Sequence, residues 1–200
     1  MQEVRKMDDK RVQLRQVQMS PTDFEVREDG DKKTVSGYFA VFNSDYRISD
    51  TMSESVAPDA FDNTLGNDIR CLVNHDTSKV LGRTKNGTLT LKVDSHGLYG
   101  TVEINEEDQD AMNLYAKVKR GDVSGCSMGF YINKEDYEDR GKGESHWTIR
   151  DIDLFEVSCC TFPAYEQTQI SARERDLQDI QKRENQKFKK DMLEKIHGGK

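Results

Sequence analysis

Alternating apolar and polar residues predict β-strands through the middle of the chain. Residues 24–28 alternate, a turn-forming Asp-Gly-Asp follows, and residues 33–43 are rich in β-formers, which predicts a hairpin. Residues 88–94 and 98–104 flank a short polar turn and predict a second hairpin with one buried face. Residues 69–75, 123–132 and 146–162 add further β-rich runs.

One segment has the helical period instead. Within residues 105–121, four apolar positions share one helix face: Ala111, Leu114, Tyr115 and Val118. Acidic residues lie at the start of this segment and basic residues at its end, as the helix dipole favours. Gly121 can end this helix. Residues 1–20 are polar and predict a short amphipathic helix or a disordered arm, whereas residues 134–145 predict a charged loop.

These elements predict a mostly β (α+β) fold with about six to eight strands and one well-defined helix. A small closed or curled antiparallel β-barrel flanked by helices suits many short strands of this kind. We divide the chain into a polar N-terminal arm over residues 1–21, a folded domain over 22–170 and a charged tail over 171–200. Both arms are expected to be helical or disordered.

Composition and charge argue against a nucleic-acid-binding protein and against a membrane protein. Of 200 residues, 34% are hydrophobic and 34% charged, and the net charge of -7 argues against a nucleic-acid-binding body. No apolar run approaches the roughly 20 residues that span a bilayer, and the N-terminus lacks a signal-peptide core, so we expect a cytosolic protein without a membrane partner. The tail carries more basic than acidic residues, which fits an interaction tail or a solvated helix equally well.

The cysteines predict no metal site. Their spacing does not match a zinc knuckle, and in a cytosolic chain they are expected to be reduced and buried: Cys71, Cys126, Cys159 and Cys160. No metal or other cofactor is expected. A metal hydrolase built on His75 and Asp76 lacks a second ligand pair at useful spacing.

The strand over residues 123–132 contains a candidate nucleophile. Strand alternation places Cys126, Met128 and Phe130 in the core and Ser127 on the opposite face. There Ser127 lies between Gly125 and Gly129, where a substrate backbone has room. His75 lies at a strand end, a rigid position that suits a general base. A serine and a histidine are the minimum for acyl transfer, but the same residues are also explained by a tight sheet position and a structural histidine.

A third residue would orient the histidine. Glu156 is an acid inside a β-rich run, where it is costly if buried without a partner; it either points to solvent or serves as that carboxylate. Asp76 is the rival, although the neighbour of a strand residue usually points away from it.

Four stretches, in order, resemble a known family: VSGYFAVFN, NHD followed by LGR, GDVSGCSMGF, and DLFEVSCCTFPAY. They are similar to the prohead (capsid maturation) proteases of tailed bacteriophages, which resemble the herpesvirus assemblins in fold, and the resemblance covers residues 33–168. It implies a serine endopeptidase with a small β-barrel surrounded by helices.

The resemblance also assigns roles to residues. It implies His75 as the base, Ser127 as the nucleophile, with Ser124 as the alternative, and Glu156 as the orienting acid. Assemblins use a second histidine there, for which this chain offers only His96 or His146. Cys126 stands where the family usually has an apolar residue, so a thiol in place of Ser127 as the reactive group is an open alternative.

The function implied is cleavage of the scaffold, or of the scaffold-like region of the major capsid protein, and of the protease itself. The setting is the procapsid in the host cytoplasm, and a homodimer is left open. The tail suits docking onto scaffold. The alternative is a non-catalytic scaffold or assembly protein that retains the protease fold.

Overall fold

The computed structural model describes residues 12–17, 24–29, 32–161 and 166–197. In chain order the first nine strands are β1 (Val12–Val17), β2 (Glu25–Asp29), β3 (Lys32–Val41), β4 (Tyr46–Arg47), β5 (Met52–Val56), β6 (Arg70–Val73), β7 (Asp76–Arg83), β8 (Leu89–Val93) and β9 (Gly97–Glu103). Helix α1 (Gln109–Arg120), the long strands β10 (Gly125–Gly141) and β11 (Glu144–Cys160), and helix α2 (Glu166–His197) follow. Short 3₁₀ turns lie at Pro58–Phe61 and Thr84–Asn86.

The strands form two sheets. The smaller has the antiparallel order β2-β3-β9-β8 and contains both predicted hairpins, which are thereby confirmed. The larger has the order β1-β10-β11-β5-β4, and β6 pairs with β11 farther along the same strand and with β7. Strands β5 and β6 run parallel to β11, so the larger sheet is mixed rather than purely antiparallel.

The predicted closed barrel is not confirmed. One isolated bridge, between Phe42 and Val56, joins the two sheets, but the pairings within the described ranges do not complete a ring. The sheets instead enclose a shared apolar core to which β10 contributes Cys126, Met128 and Phe130. The predicted alternation along β10 is therefore correct, and it leaves Gly125, Ser127 and Gly129 on the other face.

Helix α1 forms where its apolar spacing predicted it. The Asp108 side chain accepts hydrogen bonds from the amides of Asp110 and Ala111 and caps the first turn. Gly121 ends the helix in the left-handed conformation, at φ 86°. The four predicted core positions of this helix are all buried.

Three local predictions were wrong. Residues 12–17 of the predicted helical or disordered arm form strand β1, because the edge of β10 supplies hydrogen-bond partners that no local pattern reveals. The predicted charged loop at 134–145 is the far half of the β10–β11 hairpin, whose long ladder overrides low β-propensity. The folded body, predicted to contain six to eight strands, contains ten within the described residues, β2 to β11.

Helix α2 is anchored to the body through a buried arginine. The Arg173 side chain is fully buried, donates to Glu54 (2.9 Å) and Glu135 (2.8 Å), and stacks over the ring of Trp147 at 4.8 Å. Leu177 packs in the same cluster. The helix is exposed over residues 181–194, and no helix in the described parts of the chain is long and apolar enough to cross a membrane.

Candidate active site

His75 lies in the two-residue turn between β6 and β7. Val73 pairs with Asp76 across this turn, and the two turn residues both have positive φ, 51° at Asn74 and 62° at His75. Two successive left-handed residues give the turn whose twist matches a β-hairpin, and asparagine and histidine adopt this region more readily than most residues do. The turn therefore projects His75 from a strand end.

Asn74 fixes the turn against β11. Its side-chain oxygen accepts from the amide of Thr161 at 2.8 Å, its side-chain nitrogen donates to the Thr161 hydroxyl at 3.3 Å, and its own amide donates to the carbonyl of Cys159 at 3.0 Å. Three hydrogen bonds to the last residues of β11 and to Thr161 just beyond it restrict how His75 can move, because its neighbour in the turn is held there.

His75 and Glu156 are in direct contact. The His75 Nδ1 atom lies 2.7 Å from Glu156 Oε1, and the Glu156 side chain is only 5% exposed. The other carboxylate oxygen accepts from the Ser158 hydroxyl at 2.6 Å, and the Ser158 oxygen accepts from the backbone amide of His75 at 3.2 Å. Ser158 thus bridges the carboxylate and the backbone of the histidine.

Gly129 makes room for this carboxylate. Gly129 pairs with Glu156 across the β10–β11 ladder, and a Cβ atom at Gly129 would lie 2.5 Å from Glu156 Oε1 and 2.7 Å from the Phe155 ring. Real Cβ atoms do not approach neighbours so closely. Glycine at this position is therefore required for the observed contact between Glu156 and His75.

Ser127 lies on the same face of the same ladder. Its Cα is paired with that of Ser158, so the two side chains leave one face from Cβ atoms about 4.5–5.5 Å apart. Ser127 is 0% exposed. The fold therefore brings Ser127 to the residue that contacts both His75 and Glu156, and it does so in a closed site.

A thiol also faces the histidine. The Cys160 Sγ atom lies 4.0 Å from His75 Nε2, on the ring nitrogen that does not face Glu156. Cys126, the thiol singled out from sequence, points instead to the core, where its sulfur donates to the carbonyl of Tyr38. All four cysteines are buried, and a hydrogen bond with Cys159, together with burial, raises the pKa of the Cys71 thiol.

The alternative residues lie elsewhere. The Asp76 carboxylate accepts from the Ser78 amide and hydroxyl, which lower its pKa. The His146 ring lies between the hydroxyls of Ser53 (2.8 Å) and Ser55 (2.9 Å), and burial lowers its pKa. Neither Asp76 nor His146 is the residue that contacts His75 Nδ1; that residue is Glu156.

Two further candidates are accounted for as well. The amide of His96 donates to Asp94 in the β8–β9 turn, and its ring packs edge-on against Tyr38. Ser124 is half-buried and precedes β10. Within the described ranges, no group of three or more histidine, cysteine or acidic side chains is arranged to hold a metal ion.

Comparison with known proteins identifies the family. The model of the caudovirus prohead serine protease family matches residues 22–183, well over half of the chain. The chain belongs to this family. It is also 33% identical over 155 residues to the prohead protease of Enterobacteria phage HK97, a match that covers 76% of this chain and 64% of the HK97 protein. The chain thus spans less than two thirds of that relative.

A structural likeness accompanies this match. The structure of the bacteriophage T4 capsid assembly protease, gp21, covers 76% of this chain and 98% of its own, with 11% identity and a TM-score of 0.47. At that level of similarity we draw no inference from the T4 structure. Membership in the prohead protease family rests on the sequence matches.

Sequence reasoning missed the contacts of three residues in this candidate site. Ser158 lies two positions after Glu156, so strand alternation alone places both on one face. Asn74 adjoins His75, but its contacts with Thr161 join distant parts of the chain. The space predicted for a substrate beside Gly129 is filled instead by Glu156 and Phe155.

Proposed function

We propose that this chain is a serine endopeptidase of phage prohead maturation, with Ser127 as nucleophile, His75 as general base and Glu156 as the orienting acid. The observation that carries the proposal is the 2.7 Å contact between His75 Nδ1 and Glu156 Oε1, on the sheet face that also bears Ser127. The carboxylate occupies one ring nitrogen and leaves Nε2 to exchange protons, which is the division of roles in a triad.

The chemistry follows from this division. In the proposed first step, Ser127 Oγ forms a bond to the scissile carbonyl carbon while its proton moves to His75 Nε2. Glu156 stabilises the resulting imidazolium, which then gives the proton to the leaving amine. Water, deprotonated by the same nitrogen, then adds to the acyl carbon, the bond to Ser127 Oγ breaks, and Nε2 returns its proton to Ser127. Backbone amides near Ser127 or from another loop would hold the oxyanion.

Ser158 is a positioning residue in this proposal. Its hydroxyl donates to Glu156 and accepts from the amide of His75, so it would act on the reaction through these two residues. The base and its carboxylate are thereby held by one hydroxyl, which limits their motion relative to each other.

The substrates we propose are the scaffold or the scaffold-like region of the major capsid protein, and the protease itself, inside a procapsid in the host cytoplasm. Family membership supports this setting. The protease body over residues 22–170 and a docking role for the charged tail belong to the same proposal. The rival function, a non-catalytic assembly protein, is favoured by one observation, the complete burial of Ser127.

Intact-mass spectrometry of the chain co-expressed with its capsid and scaffold proteins tests the proposal. We expect shortened chains with the wild type and none with Ser127→Ala, with particle assembly retained. Cys160→Ala is the matched control, because its thiol also faces His75, and it should still process. Processing that survives Ser127→Ala but not Cys160→Ala would make the thiol the nucleophile. Unshortened chains in every case would favour the assembly protein.

A further inference from the structure

The chain's own N-terminal strand lies along the edge of β10 beside Ser127. Strand β1 pairs antiparallel with β10 over its whole length, from Val12 opposite Tyr131 to Val17 opposite Cys126. In this register Gln16 stands opposite Ser127. The residue proposed as nucleophile therefore has β11 on one side and a segment from the N-terminus on the other.

The two sides of Ser127 have different chemical roles. His75, Glu156 and Ser158 all lie on the β11 side of β10. In acyl transfer the hydroxyl gives its proton to the base while its oxygen bonds to the carbonyl carbon, so base and substrate approach Oγ from different directions. The base comes from the β11 side, which leaves the β1 side to the scissile peptide.

The burial of Ser127 decides how a peptide could reach this edge. Ser127 itself is 0% exposed, so no substrate can reach it while the described arrangement holds. Something next to Ser127 must move before cleavage, and β1 is the strand on the side from which a substrate must come.

We propose that β1 occupies the substrate position of this protease, as a tethered stand-in for an extended substrate segment that adds antiparallel to β10. The inference rests on the proposed function of Ser127. Main-chain hydrogen bonds to a strand edge bind any extended sequence, which suits a protease that must accept segments of larger proteins. Because β1 is tethered, its effective concentration is high, and cleavage of another chain requires its displacement.

Proline substitutions in β1 test this placement in the full-length chain. Neighbouring residues in an antiparallel strand alternate in the direction of their N–H groups, so one of Leu14→Pro and Arg15→Pro removes a bond to β10. Arg27→Pro is the matched control, because β2 is also an edge strand but belongs to the other sheet. The measurement is the rate at which a fluorophosphonate, a reagent for activated serines, labels Ser127.

We expect slow labelling of the wild type and of Arg27→Pro. At least one β1 variant should be labelled roughly tenfold faster, the factor for one lost ladder hydrogen bond at the upper end of its usual net value. Fast labelling of the wild type, or measurable labelling at an unchanged rate in both β1 variants, would overturn the inference and leave the proposed nucleophile standing. A cut between Arg15 and Val17 in the wild type, absent in Ser127→Ala, would support the same placement.

A binding experiment separates the inference from the proposed function. A labelled peptide of residues 10–19 is titrated by fluorescence anisotropy into Ser127→Ala chains with and without each β1 proline, beside a scrambled peptide. Peptide binding that appears only when β1 is weakened supports the proposal that β1 and substrate share one edge. This holds even if no chain reacts with the fluorophosphonate. The absence of any reaction would refute only the assignment of Ser127 as nucleophile. Absence of binding in both proline chains contradicts the inference.

Discussion

Replacing Gly129 by alanine is the smallest change that should separate Glu156 from His75 while leaving both residues in place. The added Cβ atom would lie 2.5 Å from Glu156 Oε1, the same oxygen that lies 2.7 Å from His75 Nδ1. The Phe155 ring, 2.7 Å from the new atom, blocks a second direction of escape. The carboxylate must therefore shift if the strand is to stay in register.

The size of the shift sets the expected loss. Non-bonded atoms prefer separations of about 3.5 Å, so the oxygen has to move by about 1 Å. A misplacement of about 1 Å costs about 10²-fold in rate, and complete loss of the orienting carboxylate costs up to about 10⁴-fold. We expect a reaction rate at Ser127 that falls by a factor between these limits.

Stability should fall by much less than activity. Overpacking of one methyl group costs about 1–3 kcal/mol, which lowers the melting temperature of a chain of this size by about 2–4 °C per kcal/mol. The variant should therefore remain folded at room temperature, and its circular dichroism should match that of the wild type. A loss of reactivity would then reflect the site rather than unfolding.

The assay is fluorophosphonate labelling of Ser127, followed by intact mass. It is run in the wild-type, Leu14→Pro and Arg15→Pro chains, so that the comparison holds whether or not β1 covers the serine. Gly125→Ala is the matched control: it lies on the same face of β10, and its added Cβ would meet the carbonyl oxygen of Cys160 at 3.0 Å rather than a carboxylate. If Gly129→Ala is folded and reacts as fast as Gly125→Ala, Glu156 does not orient His75.

Two further predictions concern a hydroxyl and a buried imidazole. Ser158→Ala removes a donor to Glu156 and an acceptor from the amide of His75, and should slow labelling of Ser127 about 10–100-fold at about 1–3 kcal/mol of lost stability; an unchanged rate would make Ser158 purely structural. Burial lowers the pKa of His146 below its ordinary 6.5, so the unfolded chain takes up a proton first and stability is lost as the pH falls below that value. Urea unfolding at about pH 7.5 and about pH 5 should therefore show a smaller loss for His146→Gln than for the wild type, and equal losses would contradict this.

Local pattern determined the elements whose partners are close in sequence. The two hairpins of the smaller sheet and helix α1 follow from period-two and helical spacing together with turn and cap residues. Alternation also placed Ser127 opposite the core face of β10, and ordered motifs led to the family that the sequence comparison shows. These features depend on neighbours a few residues apart, so a linear reading is enough.

The extent of the larger sheet depended on contacts between distant residues. Strand β1 exists because the edge of β10 accepts it, and the charged half of the β10–β11 hairpin is extended because the ladder continues through it. The side chains of Arg173 and Glu54 are buried together although 119 residues separate them. No window along the chain contains both partners of such pairs, so neither the extra strand nor the buried ion pair could be predicted locally.

The candidate site divides in the same way. The sequence alone supplied the candidate residues His75, Ser127 and Glu156, because their types and positions allow these roles and the family resemblance points to them. Only the tertiary structure decided that Glu156 lies at His75 Nδ1, that Ser158 joins them, and that β1 lies beside Ser127. Those facts are distances between segments brought together by the sheet, and the free energy that sets them comes from non-local pairing and burial rather than from local propensity.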